Sequence, residues 1–434
     1  MPSPYIPNTD QDRAAMLHDI GVDSIDEFFQ DVPAQFRNAT LNLPLPLTEL
    51  ELKEELYRLS RQNASPDDYA CFLGAGYYHH FIPAVVGHIT GRSEFSTAYT
   101  PYQAEASQGI LQAIYEYQSL VCQLTGMEIS NAGMYDGSSA AAEAALMACR
   151  IKDKKEVAVL STVNPAYREV MGTYGSGQDI TIHELKPDFK ELSSKYACLI
   201  VQQPNFLGYF EKVERYAKLA HGAGALLIAI FDPISLGLLQ PPGNYGADIA
   251  IAEGQPLGNP LSFGGPGLGI FTCRKEHLRQ MPGRVVGRTT DVEGQPGYVL
   301  TVATREQHIR RERATSNICT NEALVALAAT VYLAAMGKSG LRRVAELCYH
   351  KAHYAANAIS KLKRCSLASE QPFFKEFVIR CPVPPEKINR ILLKEKIIGG
   401  LDVSHLVDKG MLFCVTEMNS KKEIDRLVAI LEAL

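Results

Sequence analysis

The hydrophobic pattern along the chain changes character twice. In the middle of the chain, short runs of aliphatic and β-branched residues recur: Val157 to Leu160, Ile180 to His183, Cys198 to Val201, Ala225 to Phe231, Asp248 to Ala252 and Gly267 to Thr272. Segments with helical spacing, such as Pro165 to Gly172 and Lys212 to His221, separate several of them. Unbroken apolar strands divided by helices predict a mostly parallel sheet covered on both faces, with functional groups just past the C-terminal strand ends. Before this region, Asp10 to Ile20, Ser24 to Phe29 and Thr48 to Arg61 read as helices around the proline-spaced Leu43-Pro44-Leu45-Pro46. After it, the spacing predicts a long helix over Glu322 to Met336, ended by Gly337. Strands over Phe373 to Arg380 and Met411 to Val415 and a closing helix over Lys421 to Leu434 follow. The expected organisation is an arm over 1–65, a large α/β domain over 66–320 and a small α+β domain over 321–434. An arm with little core of its own is expected to pack on a neighbouring subunit or domain.

Composition narrows the function classes. With 434 residues and 46% hydrophobic content the chain can bury a large core. A net charge of -5 with 21% charged residues gives no field that calls for nucleic acid or a membrane surface. No basic and apolar leader opens the sequence, and no uninterrupted apolar run reaches the roughly 20 residues of a bilayer span. The ten cysteines are scattered without a CxxC pair, as expected of reduced, buried thiols in a cytoplasmic protein, and signal no metal site. The helical pair His350 and His353 reads as solvated surface rather than as metal ligands.

Three features carry chemistry. Asp136-Gly137-Ser138-Ser139 opens an alanine-rich helix, and free N–H groups at such a start suit a phosphate, although Asp and Ser are also ordinary N-caps. Asp232 directly follows an apolar strand; it can pair with a ring nitrogen or simply start the Asp232-Pro233 turn. Then comes Gly246-Ala247-Asp248-Ile249-Ala250-Ile251-Ala252-Glu253-Gly254-Gln255, followed by the glycine-rich turn Ser262 to Gly267.

In this order the three features resemble fold-type I pyridoxal-phosphate (PLP) enzymes of the aspartate-aminotransferase-like class. That resemblance implies Ser138 and Ser139 near the cofactor phosphate, Asp232 on the pyridine nitrogen, and a Schiff-base lysine where this chain has Gln255. No lysine occurs between Lys218 and Lys275. Gln cannot form an imine, so Asp232, Ser138 and Ser139 are expected to be vestigial cofactor contacts, and the scaffold is expected to need a lysine-bearing partner.

Local blocks narrow the family. Thr97-Ala98-Tyr99-Thr100-Pro101-Tyr102-Gln103-Ala104-Glu105-Ala106-Ser107-Gln108-Gly109 is similar to the TxYTPYQxExSQG signature of glycine decarboxylase P-proteins. Gly76 to His80, Asp232 to Gly237, Glu253 to Gly258 and Ala314 to Thr320 resemble further blocks, as in the N-terminal half of the long single-chain enzyme. The resemblance implies a glycine-decarboxylating enzyme whose second subunit holds PLP covalently. It also implies transfer of the aminomethyl group to the lipoyl group of H-protein. His79, His80, Tyr99 and Tyr102 are the expected contributors to the partner's site, with Asn317, Cys319 and Thr320 as further candidates. A structural histidine, interface-packing tyrosines and a helix-capping Asn317 or Thr320 are the plainer alternatives. A non-catalytic structural or regulatory subunit, or a homomeric PLP enzyme using another lysine such as Lys275, are the alternative functions.

Overall fold

The computed structural model describes residues 5–37, 42–98, 100–318 and 322–434, with His308 described by its backbone only. The chain forms two compact units, Met1–Asn63 and Ala64–Leu434. In the first, helices Asp10–Ile20 and Glu49–Ser60 each start on a threonine capping box, Thr9 with Asp12 and Thr48 with Glu51. No described residue of this unit is buried. Leu50, Leu52, Leu56 and Leu59 are 69%, 46%, 55% and 43% exposed, so the apolar face of the second helix has no core within its own unit.

The second unit is built on a seven-stranded sheet of Ile129–Ser130 (β1), Glu156–Leu160 (β2), Thr181–Leu185 (β3), Tyr196–Gln203 (β4), Leu226–Phe231 (β5), Ile249–Glu253 (β6) and Gly269–Cys273 (β7). The strand order is β1-β7-β6-β5-β4-β2-β3; β7 runs antiparallel to both of its neighbours and the other pairings are parallel. Every residue of β5 and β6 is buried, which is why those strands read as unbroken apolar runs rather than alternating ones. Helix Gly137–Lys152 (α1) packs on the sheet through a face of small residues, with Ala140, Ala141, Ala144 and Ala148 wholly buried.

The helix predicted to stop at Gly337 does not stop there. Gly337 leaves helical torsions (φ 57°, ψ -173°), yet helix resumes and the element spans Ala323–Ile359 (α2). The apolar stripe explains the resumption. Leu341, Val344 and Cys348 join the core of the large sheet, and Ala352, Ala355 and Ile359 join that of the small lobe. By length and composition alone α2 is apolar enough to cross a membrane, but 44% of its most apolar window is buried inside the protein.

The small lobe is a four-stranded antiparallel sheet of Ser366–Leu367, Glu376–Arg380, Gly410–Cys414 and Leu401–Asp402, in that order. Its strand begins at Glu376 rather than Phe373 because Phe373 and Phe374 pair back to the 208–210 loop instead. Helices Gln108–Thr125 and Pro385–Lys394, and the hairpin of Val285–Thr290 with Pro296–Thr301, were not signalled by the pattern. His353 is not solvated surface: its ring stacks on Phe373 at 4.1 Å and its Nδ1 lies 2.8 Å from the Tyr349 carbonyl oxygen.

Candidate functional site

The C-terminal ends of β5 and β6 face the small lobe, and the expected cofactor contacts collect there. Asp232 follows β5 directly, and its Oδ1 caps the turn by accepting from the Ile234 N–H at 2.9 Å. Its Oδ2 is 2.7 Å from Nζ of Lys375, a side chain 1% exposed and delivered by the segment leading into Glu376–Arg380. Burial works against the Lys375 ammonium, but Asp232 beside it outweighs that effect and holds its pKa above the ordinary lysine value. The ammonium also lies 3.5 Å from the centre of the Tyr78 ring.

At the other end of this pocket is the start of α1. Asp136 is its N-cap and accepts from the Ser139 N–H at 2.6 Å; the Ser138 hydroxyl donates to the same carboxylate at 2.9 Å. The Ser139 hydroxyl is 3.1 Å from the Asp136 carbonyl oxygen. The Gly137 N–H donates to Oε2 of Glu253 at 2.9 Å. Oε1 of Glu253 accepts from the N–H groups of Gln255 and Leu268, both at 2.9 Å. Burial pushes the Glu253 carboxyl up to about 7, against the opposing pull of its three backbone donors. A Cβ at Gly137 would lie 2.2 Å from the Tyr167 hydroxyl oxygen and 2.7 Å from the Glu253 nitrogen, so only glycine permits this approach.

Gln255, at the position of the expected lysine, is 1% exposed and fully engaged. Its Oε1 accepts from the Tyr78 N–H at 2.9 Å, while its Nε2 donates to the carbonyls of Tyr78 at 3.1 Å and Asn259 at 2.8 Å. The amide therefore fastens segment 76–82 to the sheet. The same segment is held from the small lobe. Glu417 Oε1 accepts from the Phe81 N–H at 2.7 Å, and Thr416 Oγ1 donates to the His79 carbonyl at 2.7 Å. The Tyr78 hydroxyl donates to Glu376 at 2.8 Å, and burial raises the Glu376 carboxyl to about 7.

His80 lies inside this assembly. Lys375 Nζ is 3.2 Å from its Nε2, and Glu417 Oε2 is 2.7 Å from its Nδ1. An ammonium has no lone pair, so Nε2 accepts and the ring proton sits on Nδ1, donated to Glu417. Burial and the Lys375 charge lower the His80 pKa, keeping the ring neutral. Burial alone would raise Glu417, but the His80 contact and the Phe81 N–H outweigh it and hold the carboxyl below the ordinary glutamate value. One chain of polar groups thus runs Asp232, Lys375, His80, Glu417, and Cys348 Sγ adds a contact to Glu417 at 3.4 Å. His80, Cys348 and Glu417 also bring potential metal ligands together, but the Lys375 ammonium faces the same imidazole and opposes a cation there.

What remains of the pocket is a cavity of about 40 Å³ whose lining includes Asp232, Lys375 and Glu253. An aromatic ring the size of benzene needs about 150 Å³. The residues present here do not fit PLP: the position expected to carry the imine lysine holds the amide Gln255, the carboxylate expected to meet the ring, Asp232, faces Lys375, and the Gly137 N–H at the start of α1 faces Glu253.

Comparison with known proteins gives the same reading at the level of the family. The family model described as glycine cleavage system P-protein matches residues 3–431. The chain belongs to that family. It is 51% identical to the probable glycine dehydrogenase (decarboxylating) subunit 1 of Desulforamulus reducens, with 99% of each chain covered. The protein of the same name from Thermomicrobium roseum is also 51% identical, with 98% of each chain covered. A crystal structure of glycine decarboxylase (P-protein) of the glycine cleavage system, in inhibitor-bound form, superposes with a TM-score of 0.95 at 40% identity over 99% of this chain and 100% of that one. Lactobacillus brevis glutamate decarboxylase shares the fold alone, with a TM-score of 0.65 at 12% identity, 92% of this chain and 96% of that one being covered. The α/β fold-type I class expected from the sequence is therefore the observed one.

The other residues singled out from the P-protein motifs lie apart from the pocket. His79 is half-buried and lines a groove of about 650 Å³ together with Tyr78, His80, Phe81, Gln255 and Phe263. Tyr102 is 48% exposed, and its hydroxyl is 2.9 Å from Nη2 of Arg284, whose guanidinium also lies over the ring at 5.0 Å. Asn317 is exposed near Ser316, whose hydroxyl donates to Glu143 at 2.8 Å. Tyr99, Cys319 and Thr320 lie outside the described residues. Lys275, the alternative imine candidate, is exposed beyond the end of β7. Lys375, Glu253 and Glu417 were missed as site residues. A charged pair inside the apolar run Phe373-Phe374-Lys375-Glu376-Phe377 is the signal that could have marked the first.

Proposed function

We propose that this chain is the cofactor-free half of a two-subunit glycine decarboxylase, active only with a second subunit that carries the Schiff-base lysine and PLP. The observation that carries this reading is Gln255, buried and hydrogen-bonded three ways at the lysine position of a fold built for PLP. PLP held by the partner would supply the electron sink for loss of carbon dioxide from glycine, and the lipoyl disulfide of H-protein would be the acceptor of the aminomethyl group. The likeness to relatives called subunit 1 supports the pairing.

In this reading the first unit clasps the partner, because its leucine face has nothing of its own unit to bury against. His79 and Tyr102 face the partner's pocket, orienting substrate and holding a proton for the opening disulfide, and Tyr99 is assigned to the same role from its motif alone. His80 serves as a structural anchor, since its single ring proton is given to Glu417. The free thiols of the nine described cysteines accord with a cytoplasmic location. One observation favours a purely structural role instead: every vestigial cofactor contact in this chain is closed by an internal partner. Assay of the complex decides. Co-expression with the second subunit should give an assembly that exchanges bicarbonate into glycine, while this chain alone does not. Exchange by the chain alone would overturn the reading, and a complex unaffected by His79→Ala, Tyr99→Phe and Tyr102→Phe would make the chain a scaffold.

A further inference from the structure

A PLP pocket of this fold offers two charged anchor points, a carboxylate for the ring nitrogen and helix N–H groups for the phosphate. Emptying both at once would leave a buried Asp232 without a cation and the N–H groups at the start of α1 without an anion, and the first of these is costly. Neither is empty. The Lys375 ammonium meets Asp232 at 2.7 Å, and the Glu253 carboxylate meets the Gly137 N–H at 2.9 Å. Both side chains are buried, at 1% and 6% exposure, and both line the same residual cavity of about 40 Å³. They come from different lobes, Glu253 from the end of β6 and Lys375 from the segment leading into Glu376–Arg380, so a single local packing event does not account for the pair.

We propose that Lys375 and Glu253 are built-in counterparts of the cofactor's pyridinium and phosphate, so that this chain fills its own cofactor pocket with its own charges. Loss of the lysine then explains only half of the chain's inability to take PLP; the anchor sites are closed as well. Replacing Gln255 by lysine alone therefore does not restore an imine, because the ring has no place to lie. Lys375 cannot serve as a substitute imine lysine either. It sits at the ring-nitrogen end of the pocket, whereas an imine requires an amine at the 4′ carbon on the far side of the ring. The inference rests on the reading that the partner carries the cofactor, and the test keeps the two separable.

The complex with the second subunit is first reduced with borohydride, which blocks the partner's site and shows by peptide mapping which chain is labelled. Label on this chain would defeat the underlying reading. With the partner blocked, pyridoxamine 5′-phosphate, which has the ring nitrogen and phosphate but no aldehyde, is titrated by equilibrium dialysis. The wild-type complex should bind none. The Glu253→Ser/Lys375→Ala complex should bind one equivalent per copy of this chain. Uptake by the wild type, or none by a folded double variant, overturns the inference. If the double variant does not fold, Glu253→Ser alone is refolded with its partner in inorganic phosphate and in chloride of equal ionic strength. A higher yield or melting temperature in phosphate, absent in the wild type, supports the vacated anion site; equal behaviour in both salts overturns it.

Discussion

The pocket below Asp232 and the strip from Thr97 to Gly109 hold similar chemistry on paper: tyrosines, carboxylates, amides and glycine. Their environments are opposite. In the pocket, Asp232, Lys375, His80, Glu417, Glu253 and Gln255 are buried or nearly so, and each is matched by a group of this same chain. In the strip, Gln108 anchors the backbone by donating to the Ala104 and Tyr298 carbonyls at 2.7 and 2.8 Å, while Tyr102, Gln103 and Glu105 are exposed. A polar group already satisfied inside its own fold contributes to stability; one presented to solvent is available to a partner. Residue type alone does not separate the two roles, and burial does.

The sharpest way to break this comparison is to unpair the pocket. Lys375→Ala leaves a buried carboxylate without its cation and should cost about 3–5 kcal/mol in denaturant unfolding. The double change Asp232→Leu/Lys375→Met, which removes both charges, should cost much less. Equal costs for both variants would mean that the ion pair is not what holds this region. In the strip, by contrast, substitutions should spare stability and strike activity. Tyr102→Phe, and to a larger degree His79→Ala on the 76–82 segment outside the strip, should lower glycine–bicarbonate exchange, by up to about 10²–10⁴-fold where a proton-transfer group is lost. Assembly and cofactor content should stay intact by light scattering and absorbance. The control Lys275→Ala should leave exchange unchanged.

A third contrast concerns the two units. Removing residues 1–63 takes away a unit in which no described residue is buried, so the remainder should keep its cooperative unfolding transition but lose assembly with the second subunit in size-exclusion chromatography with light scattering. An unchanged complex would sink the clasp. The smallest expected effect is on pH dependence. Glu417 is held below its value in the unfolded chain, so its contribution is present above about pH 4.3 and is lost as pH falls below that through the lowered folded value. The stability gap between wild type and Glu417→Gln should accordingly narrow on acidification through that window. A gap that stays constant from about pH 6 to pH 2 would contradict this assignment.

The fold was legible in the chain because a doubly covered parallel sheet writes itself as unbroken apolar runs. β5 and β6 are buried throughout and were located to within a residue or two. What failed was the end of α2, because a glycine that departs from helical torsions was read as a stop although the stripe beyond it still had two cores to fill. The pocket was half legible. Asp232, the start of α1 and the missing lysine follow from local motifs. Lys375 and Glu417 lie more than a hundred residues away and reach Asp232 and His80 only through the docking of the small lobe, which no local spacing encodes. His80 likewise resembles its neighbour His79 in sequence, and only burial and the Glu417 and Lys375 contacts distinguish the sealed imidazole from the half-buried one.

The central claim, that this chain works without a cofactor of its own, has one direct measurement. The active complex is reduced with borohydride, the two subunits are separated, and phosphopyridoxyl-lysine is counted on each by peptide mapping. The account predicts one label per second subunit and none on any lysine of this chain. A stoichiometric label here, whether on Lys275, Lys375 or elsewhere, would contradict it.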